Sequence, residues 1–109
     1  MANTFKLKTK ANVGVTTVGI YTAPAATTTV VIGITLSNTS GSGVNVGVGI
    51  TRAGTTEDVK LLKNAPIPQG SSLEFMAGTK IVLEATDTVT VDSDTNNSID
   101  AALTIMEIT

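Results

Sequence analysis

Apolar side chains recur at every second position through much of the stretch from Thr27 to Ile50, which contains no charged and no aromatic residue. This is the period of a β-strand, whose successive side chains point to opposite faces. No window of ten or more residues carries the i, i+3, i+4, i+7 apolar stripe of an amphipathic helix. The β-branched residues Thr, Val and Ile fill 41 of the 109 positions, and they favour strands because branching at Cβ restricts helical rotamers. The sequence therefore predicts an all-β fold.

The chain divides into nine candidate strands separated by short segments rich in Gly, Pro, Ser, Asn and Asp. We place the strands at 4–10, 15–22, 28–36, 44–51, 58–62, 72–76, 80–84, 88–91 and 99–108. We place the breaks at 23–24, 40–43, 53–54, 66–70, 77–78 and 94–97. Strands of this length and spacing predict a single-domain antiparallel β-sandwich over residues 1–109, jelly-roll or Ig-like, of about eight strands. Residues 1–12 are expected to form an edge strand or an N-terminal arm.

The uncharged stretch also predicts a strand pairing. Placing Leu36 opposite Val44 and Val30 opposite Ile50 brings the alternating apolar residues of two strands onto one face, which we expect to lie in the core, so we predict a hairpin in this register. The second face of that hairpin would be small and uncharged, and we interpret part of it as a candidate interface: Gly33, Thr35, Asn45, Gly47 and Gly49. Glycine inside a strand often marks the close approach of another backbone. The alternative is a solvent-exposed face, or one covered by the same chain.

The inventory of reactive side chains argues against an enzyme. The sequence has no His and no Cys, which excludes Ser-His-Asp, Cys-His and imidazole or thiolate zinc sites within one chain. A glycosidase would need two carboxylates across a sugar cleft, which usually also offers aromatic platforms, and the chain has no Trp, one Tyr and two Phe. We therefore expect no catalytic residue and no enzymatic activity.

Two segments resemble ligand loops only in part. In 92–100, Asp92, Asp94 and Asn96 alternate like the start of a calcium loop, but Asn97 stands where an EF-hand needs Gly and Leu103 where it needs Glu. The glycines of 41–47 are not followed by the Lys-Ser or Lys-Thr of a phosphate loop. We interpret the first segment as an acidic turn and expect neither a metal nor a cofactor.

Charge and hydropathy limit the partners. The net charge of -2 gives no general attraction for nucleic acid or acidic membranes, and no apolar run is long enough for a signal peptide or a membrane span. Lys6, Lys8 and Lys10 would point to one side of a strand. They either protect a sheet edge from unwanted pairing or contact the acidic surface of a neighbouring subunit, so we include them in the candidate interface.

Three segments, MANTFKLKTKANVG, VGIYTAPAATTTVVIGITLSNTS and APIPQGSSLEFMAGTKIVLEATDTVTV, together resemble small virion structural proteins of tailed phages, particularly contractile-tailed phages of marine cyanobacteria. The resemblance covers most of the chain and implies a capsid decoration protein, a neck or tail accessory protein, or part of a fibre. It implies a virion protein made in the host cytoplasm, which binds other virion proteins of the capsid or tail. We also expect a homo-oligomer. The alternatives are a receptor- or glycan-binding module of a fibre, with Tyr21 as its candidate contact, and a bacterial adhesin-like subunit.

Overall fold

The computed structural model describes residues 3–75 and 80–109, which form two antiparallel β-sheets with one apolar core between them. The strands of the described residues are β1 (Asn3–Val13), β2 (Val18–Thr22), β3 (Thr28–Asn38), β4 (Val44–Arg52), β5 (Glu57–Ile67), β6 (Ser72–Phe75), β7 (Ile81–Leu83), β8 (Thr88–Ser93) and β9 (Ile99–Ile108). Each overlaps one candidate strand, so the all-β sandwich is confirmed. Residues 1 and 2 of the expected arm, the end of candidate strand 72–76 and the break at 77–78 lie outside the described residues.

The strand order identifies the type of sandwich. Sheet A has the order β1-β9-β3-β6, with β7 also paired to β3, and sheet B has the order β2-β8-β4-β5. Strands from the two ends of the chain are therefore interleaved in both sheets, as in the paired Greek keys of a jelly roll. The jelly-roll alternative is correct and the Ig-like one is wrong. The described part of the chain holds no helix long and apolar enough to cross a membrane.

The predicted hairpin of strands 28–36 and 44–51 is wrong. Strand β3 pairs with β9, β6 and β7 in sheet A, whereas β4 pairs with β5 and β8 in sheet B. The two strands face each other across the core instead of lying side by side. The alternation of apolar residues specifies which face of a strand is buried. It does not specify the neighbouring strand, because that face can be buried against a strand of the opposite sheet as well as beside a strand of the same sheet.

A β-bulge in β3 also changes which of its residues enter the core. The register with β9 shifts between Val31 and Gly33, so the buried side switches from Thr29 and Val31 before the shift to Ile34 and Leu36 after it. An extra residue in one strand of a pair has this effect because side chains alternate with period two. The inward assignment is right for Ile34 and Leu36 but wrong for Val30 and Ile32, which are only half-buried. In β4, Val44, Val46, Val48 and Ile50 are all buried, as expected.

Strand β5 runs through Pro66, which the sequence interpretation had placed in a break. Pro66 pairs with Asn45, and β5 has a paired neighbour on only one side. Proline lacks a backbone N–H, so it fits an edge strand where that group would otherwise point to solvent. The chain then returns to sheet A at β6, after a turn that contains Gly70 at a φ of 72°.

The connection from β3 to β4 carries the chain from one sheet to the other and is held by buried Asn38. Its Nδ2 donates hydrogen bonds to the carbonyls of Ser42 (2.8 Å) and Ile67 (3.0 Å), and its Oδ1 accepts from Ser40 N (2.9 Å). One side chain therefore fixes the serine- and glycine-rich loop and ties it to the end of β5. A buried amide with these partners is satisfied and costs the fold little.

Candidate assembly surfaces

The outward side of sheet A carries an apolar row across four strands. Phe5 of β1 lies opposite Met106 of β9, and Met106 lies opposite Val30 of β3. Val30 in turn lies opposite Val82 of β7. Because directly opposed residues of antiparallel strands share a face, these side chains form one continuous row. Leu7, two residues along β1, widens the row toward the middle of the sheet.

The two ends of this row and the adjacent Leu7 are open to solvent, and Met106 and Val30 between the ends are half-buried. Relative exposure is 69% for Phe5, 65% for Leu7 and 59% for Val82, the three highest values among the exposed large apolar side chains of the described residues. Single exposed apolar residues are ordinary, but a contiguous group on a flat sheet face is typical of a surface that binds another molecule. We call this surface, from β1 across β9 and β3 to β7, the outer face of sheet A.

Further along the same face is a depression. Thr9, Ala102 and Thr35 lie opposite one another across β1, β9 and β3. Together with their neighbours they line a cavity of about 260 Å³. The full lining is Thr9, Lys10, Ala11, Thr35, Ser37, Asp100, Ala101 and Ala102. The outer face of sheet A therefore has projecting apolar side chains at one end and a hollow lined by small residues at the other.

The outer face of sheet B differs in chemistry. Thr22, Thr88, Thr51 and Asp58 lie opposite one another in a row across its four strands. Polar residues of this kind are usual for a sheet face in contact with water. Within the described residues, the apolar row thus belongs to sheet A, and this row of sheet B is polar.

The space beside two glycines of the candidate interface is filled by atoms of the same chain. A Cβ on Gly49 would lie 2.9 Å from the carbonyl oxygen of Val59 and 3.2 Å from Thr90 Oγ1. A Cβ on Gly47 would collide with the carboxylate of Asp92. Register shifts on both sides of Val48 in the β4–β5 pair bring the β5 backbone this close. These glycines therefore make room for their own sheet, which was the alternative interpretation.

The three lysines of β1 point to the core side of sheet A. They lie opposite Ile105, Leu103 and Ala101 of β9, which are buried. Strand β1 is the edge of sheet A, so its inward side lies at the rim of the sandwich, where long cationic side chains still reach water. Lys6 Nζ is 2.8 Å from Glu107 Oε1, and Lys8 Nζ is 6.0 Å from the centre of the Tyr21 ring. Lys6 and Lys8 thus contact their own chain.

Tyr21 links the two sheets at this rim. It belongs to β2 in sheet B, and its hydroxyl donates to Glu107 Oε2 of β9 at 2.6 Å and lies 2.9 Å from Thr29 Oγ1 of β3. Burial and the adjacent carboxylate raise the pKa of Tyr21 to about 12. Hydrogen bonds from Lys6 and Tyr21 lower the pKa of Glu107. Tyr21 is only 7% exposed, so it is not available as a contact for a receptor or a glycan.

The acidic segment 92–100 is a crossing between the sheets. Asp92 Oδ2 accepts a hydrogen bond from Thr17 Oγ1 (3.1 Å), and Asp94 Oδ1 accepts from the backbone N of Asn45 (3.1 Å). Asp100 Oδ1 accepts from the backbone N of Asn12 (3.0 Å). These carboxylates bind neighbouring strands and loops of their own chain, which fits the acidic-turn interpretation.

The residues predicted as an interface do not share one surface. Gly33 and Thr35 lie on the outer face of sheet A, and a Cβ on Gly33 would meet no atom within 4 Å. Asn45, Gly47 and Gly49 lie on the outer face of sheet B, on the opposite side of the molecule. Lys6, Lys8 and Lys10 lie at the rim of β1. Their grouping on one hairpin face followed from the wrong pairing of β3 with β4.

The sequence interpretation missed Phe5, Leu7, Val82 and Met106. In β1 the lysines alternate with Phe5 and Leu7, and this pattern by itself suggests that the apolar residues face inward. The opposite orientation could be inferred only from the pairing with β9, which puts the lysines opposite core residues. The sequence signal that could have identified this surface was a pair of large apolar residues on an edge strand that also carries three lysines.

Comparison with known proteins gives a likeness in fold. No protein-family model matches the chain, and no curated protein matches it. One similar solved structure is a chain of the Bacillus endospore appendages, a family of disulfide-linked pili, with a TM-score of 0.60 and 16% identity over 99% of this chain and 87% of that one.

A second similar chain comes from infectious bursal disease virus, Gx strain, with a TM-score of 0.57 and 12% identity. The match covers 95% of this chain and 33% of the viral chain, so this protein spans about a third of the viral chain's length. At these identities the two likenesses establish the β-sandwich fold alone.

Proposed function

We propose that this protein is a non-enzymatic structural subunit of an assembled particle, and that the particle is the virion of a tailed bacteriophage. The observation that carries the proposal is the exposed apolar row on the outer face of sheet A, from Phe5 to Val82. Such a face is suited to burial against another protein. Its partners would be other virion proteins of the capsid or tail and further copies of itself.

Two further observations support this role. Similar folds occur in a virus and in pili, which are both particles built from repeated protein chains. The sequence resembles virion structural proteins of tailed phages through most of its length. Fold likeness alone does not determine function, so the proposal depends on the surface and on the sequence resemblance.

Assembly of this chain would be non-covalent. The pili of the similar appendage protein are disulfide-linked, whereas this sequence contains no cysteine. Stability of the assembly would come from buried apolar area and from paired strand edges. We therefore expect particles or oligomers of this protein to persist unchanged in reducing agent.

The test is an assembly and binding assay. The purified protein is examined by mass photometry and negative-stain microscopy over a range of concentrations, and then mixed with purified phage particles and sedimented. We expect oligomers, co-sedimentation with the particles, or both. A protein that stays monomeric at high concentration and also fails to bind particles would refute the proposed function.

A subunit of a bacterial surface appendage is the second candidate. The observation that favours it is the length of the match to the appendage chain, nearly all of this protein and 87% of the other. Gold-labelled antibodies distinguish the two, because labelling of virions supports the first candidate and labelling of cell-surface fibres supports the second. The glycan-binding alternative is not proposed, since Tyr21 is buried and hydrogen-bonded within the fold.

A further inference from the structure

We infer that the outer face of sheet A binds a second copy of this chain about a two-fold axis, with Phe5 of each copy seated in the cavity of the other. This inference rests on the proposed function and specifies the surface that the subunit uses. The proposed axis lies between the two stacked sheets and runs perpendicular to the strands.

The area of the face is sufficient for a stable contact. Strands β1, β9 and β3 have ten or eleven residues each and cover about 34 Å by 14 Å, and the short β6 and β7, with seven residues in all, add about 24 Å by 5 Å, from the usual rise per residue and strand spacing. That is roughly 600 Å² per copy and roughly 1,200 Å² in total, above the approximate 1,000 Å² expected of a specific interface.

The face is also complementary to itself, as a two-fold contact requires. Leu7 lies opposite Thr104 in the row that separates the apolar row of Phe5 from the hollow row of Thr9 and Ala102. A two-fold axis along this middle row places Phe5 of one copy over the hollow of the other. The cavity of about 260 Å³ exceeds the ~150 Å³ that holds a benzene ring, so it can accept a phenylalanine side chain.

Charge is distributed in a way that permits this stacking. Among the paired residues that the structure describes, the apolar row and the middle row contain no ionisable side chain, whereas Glu74, Asp100 and Lys10 lie around the hollow end. A phenylalanine ring entering that end contacts the threonine and alanine side chains. No charge is buried opposite a like charge at the centre of the contact.

Pairing of β1 with β1 of a second copy is the competing arrangement, and the lysines oppose it. Lys6, Lys8 and Lys10 occupy alternate positions on one side of β1. Suppose that two copies of β1 pair antiparallel about a two-fold axis perpendicular to the sheet, and that the paired segment includes these residues. Each lysine in that segment then lies opposite a lysine of the other copy. Like charges directly opposed across two strands destabilise the pair, so the free edge of β1 is protected against its own copy.

The first test measures dimerisation by sedimentation equilibrium. Phe5→Lys is expected to raise the dimer dissociation constant roughly 100-fold, because the symmetric contact receives two lysines at once. Val15→Lys is the matched control, since Val15 is 55% exposed but lies between β1 and β2, away from the face. Circular dichroism verifies that both variants stay folded. An unchanged dissociation constant for Phe5→Lys would overturn the inference.

The second test examines the geometry by disulfide cross-linking. Because the sequence contains no cysteine, only the introduced cysteines can form disulfides. In the variant Phe5→Cys/Thr9→Cys, the two positions lie on the same strand about 14 Å apart, too far for a bond within one chain, whereas the proposed axis places position 5 of one copy over position 9 of the other. Oxidation is expected to give covalent dimers. The control Phe5→Cys/Thr51→Cys moves one cysteine to the outer face of sheet B and is expected to give no covalent dimer.

The outcomes separate this inference from the proposed function. If the unmodified protein assembles but Phe5→Lys assembles equally well and the cysteine pair gives no dimer, the inference fails and the proposed function stands. If the protein binds virions yet never dimerises, the face is used for another virion protein and the inference also fails. A protein that neither oligomerises nor binds particles overturns both.

Discussion

At the scale of single residues, Tyr21 shows how one polar group joins the two sheets. Its hydroxyl bonds to Glu107 and lies within hydrogen-bonding distance of Thr29, so a phenol of sheet B is held by two strands of sheet A. A buried hydrogen-bonded network of this kind fixes the position of its members, because an unpaired member would pay the full cost of desolvation.

The raised pKa of Tyr21 predicts a loss of stability at alkaline pH. Below pH 10 the phenol is protonated in both the folded and the unfolded chain, so its full contribution is present. Between pH 10 and about 12 the unfolded chain releases the proton first, and stability falls by about 2 kcal/mol. Urea denaturation from pH 9 to 12 measures this, and Tyr21→Phe is expected to remove this part of the decline. Identical pH profiles for the two proteins would contradict the assignment.

The surroundings of Gly49 in sheet B and Gly33 in sheet A predict different effects of substitution by alanine. Gly49→Ala is expected to destabilise the fold by about 1–3 kcal/mol, because its Cβ would press against the β5 backbone. Gly33→Ala meets open space and is expected to leave stability unchanged or raise it by roughly 0.5 kcal/mol through the unfolded state. Urea midpoints of the two variants decide the matter, and equal destabilisation would show that the crowding at Gly49 is absent.

At the scale of elements, the bulge in β3 predicts that two isoleucines of the same strand differ sharply. Ile34 is buried, and Ile34→Asp places an unpaired charge in the core at a cost of about 4 kcal/mol or more, enough to unfold many domains. Ile32 is only half-buried, and Ile32→Asp is expected to stay folded. Thermal melts followed by circular dichroism compare them. Equal loss of structure would place both residues in the core, as simple alternation suggests.

Strand β1 is expected to be the least protected long strand of sheet A. Of its eleven residues only Val13 is buried, and β1 pairs with β9 alone, whereas β9 is paired on both sides. Few buried contacts and one free edge permit local opening. In hydrogen exchange, amides of Asn3–Lys10 that bond to β9 should exchange well before those that join β9 to β3. Equal protection of the two ladders would show that β1 opens only with the whole fold.

At the scale of the whole molecule, the shared core predicts cooperative unfolding. Both sheets contribute to one apolar cluster, with Leu36, Leu103 and Ile105 from sheet A and Val46 and Val48 from sheet B. Tyr21 is the single tyrosine and the chain has no tryptophan, so its fluorescence reports the contact between the sheets. We expect fluorescence and circular dichroism to give the same urea midpoint. Separate midpoints would mean that the sheets come apart before they unfold.

By itself the sequence determined the all-β class, the approximate position of the strands, and the core face of β4, because side-chain alternation and β-branching act within one strand. The resemblance to virion proteins was also available from the sequence. The tertiary structure alone decided that β3 and β4 lie in different sheets and that a bulge turns Val30 and Ile32 outward. It also decided that Phe5 and Leu7 face solvent while the lysines of β1 face the rim of the core. The physical reason is that pairing and register depend on contacts between distant segments, and two partners can satisfy the same alternation until packing selects one.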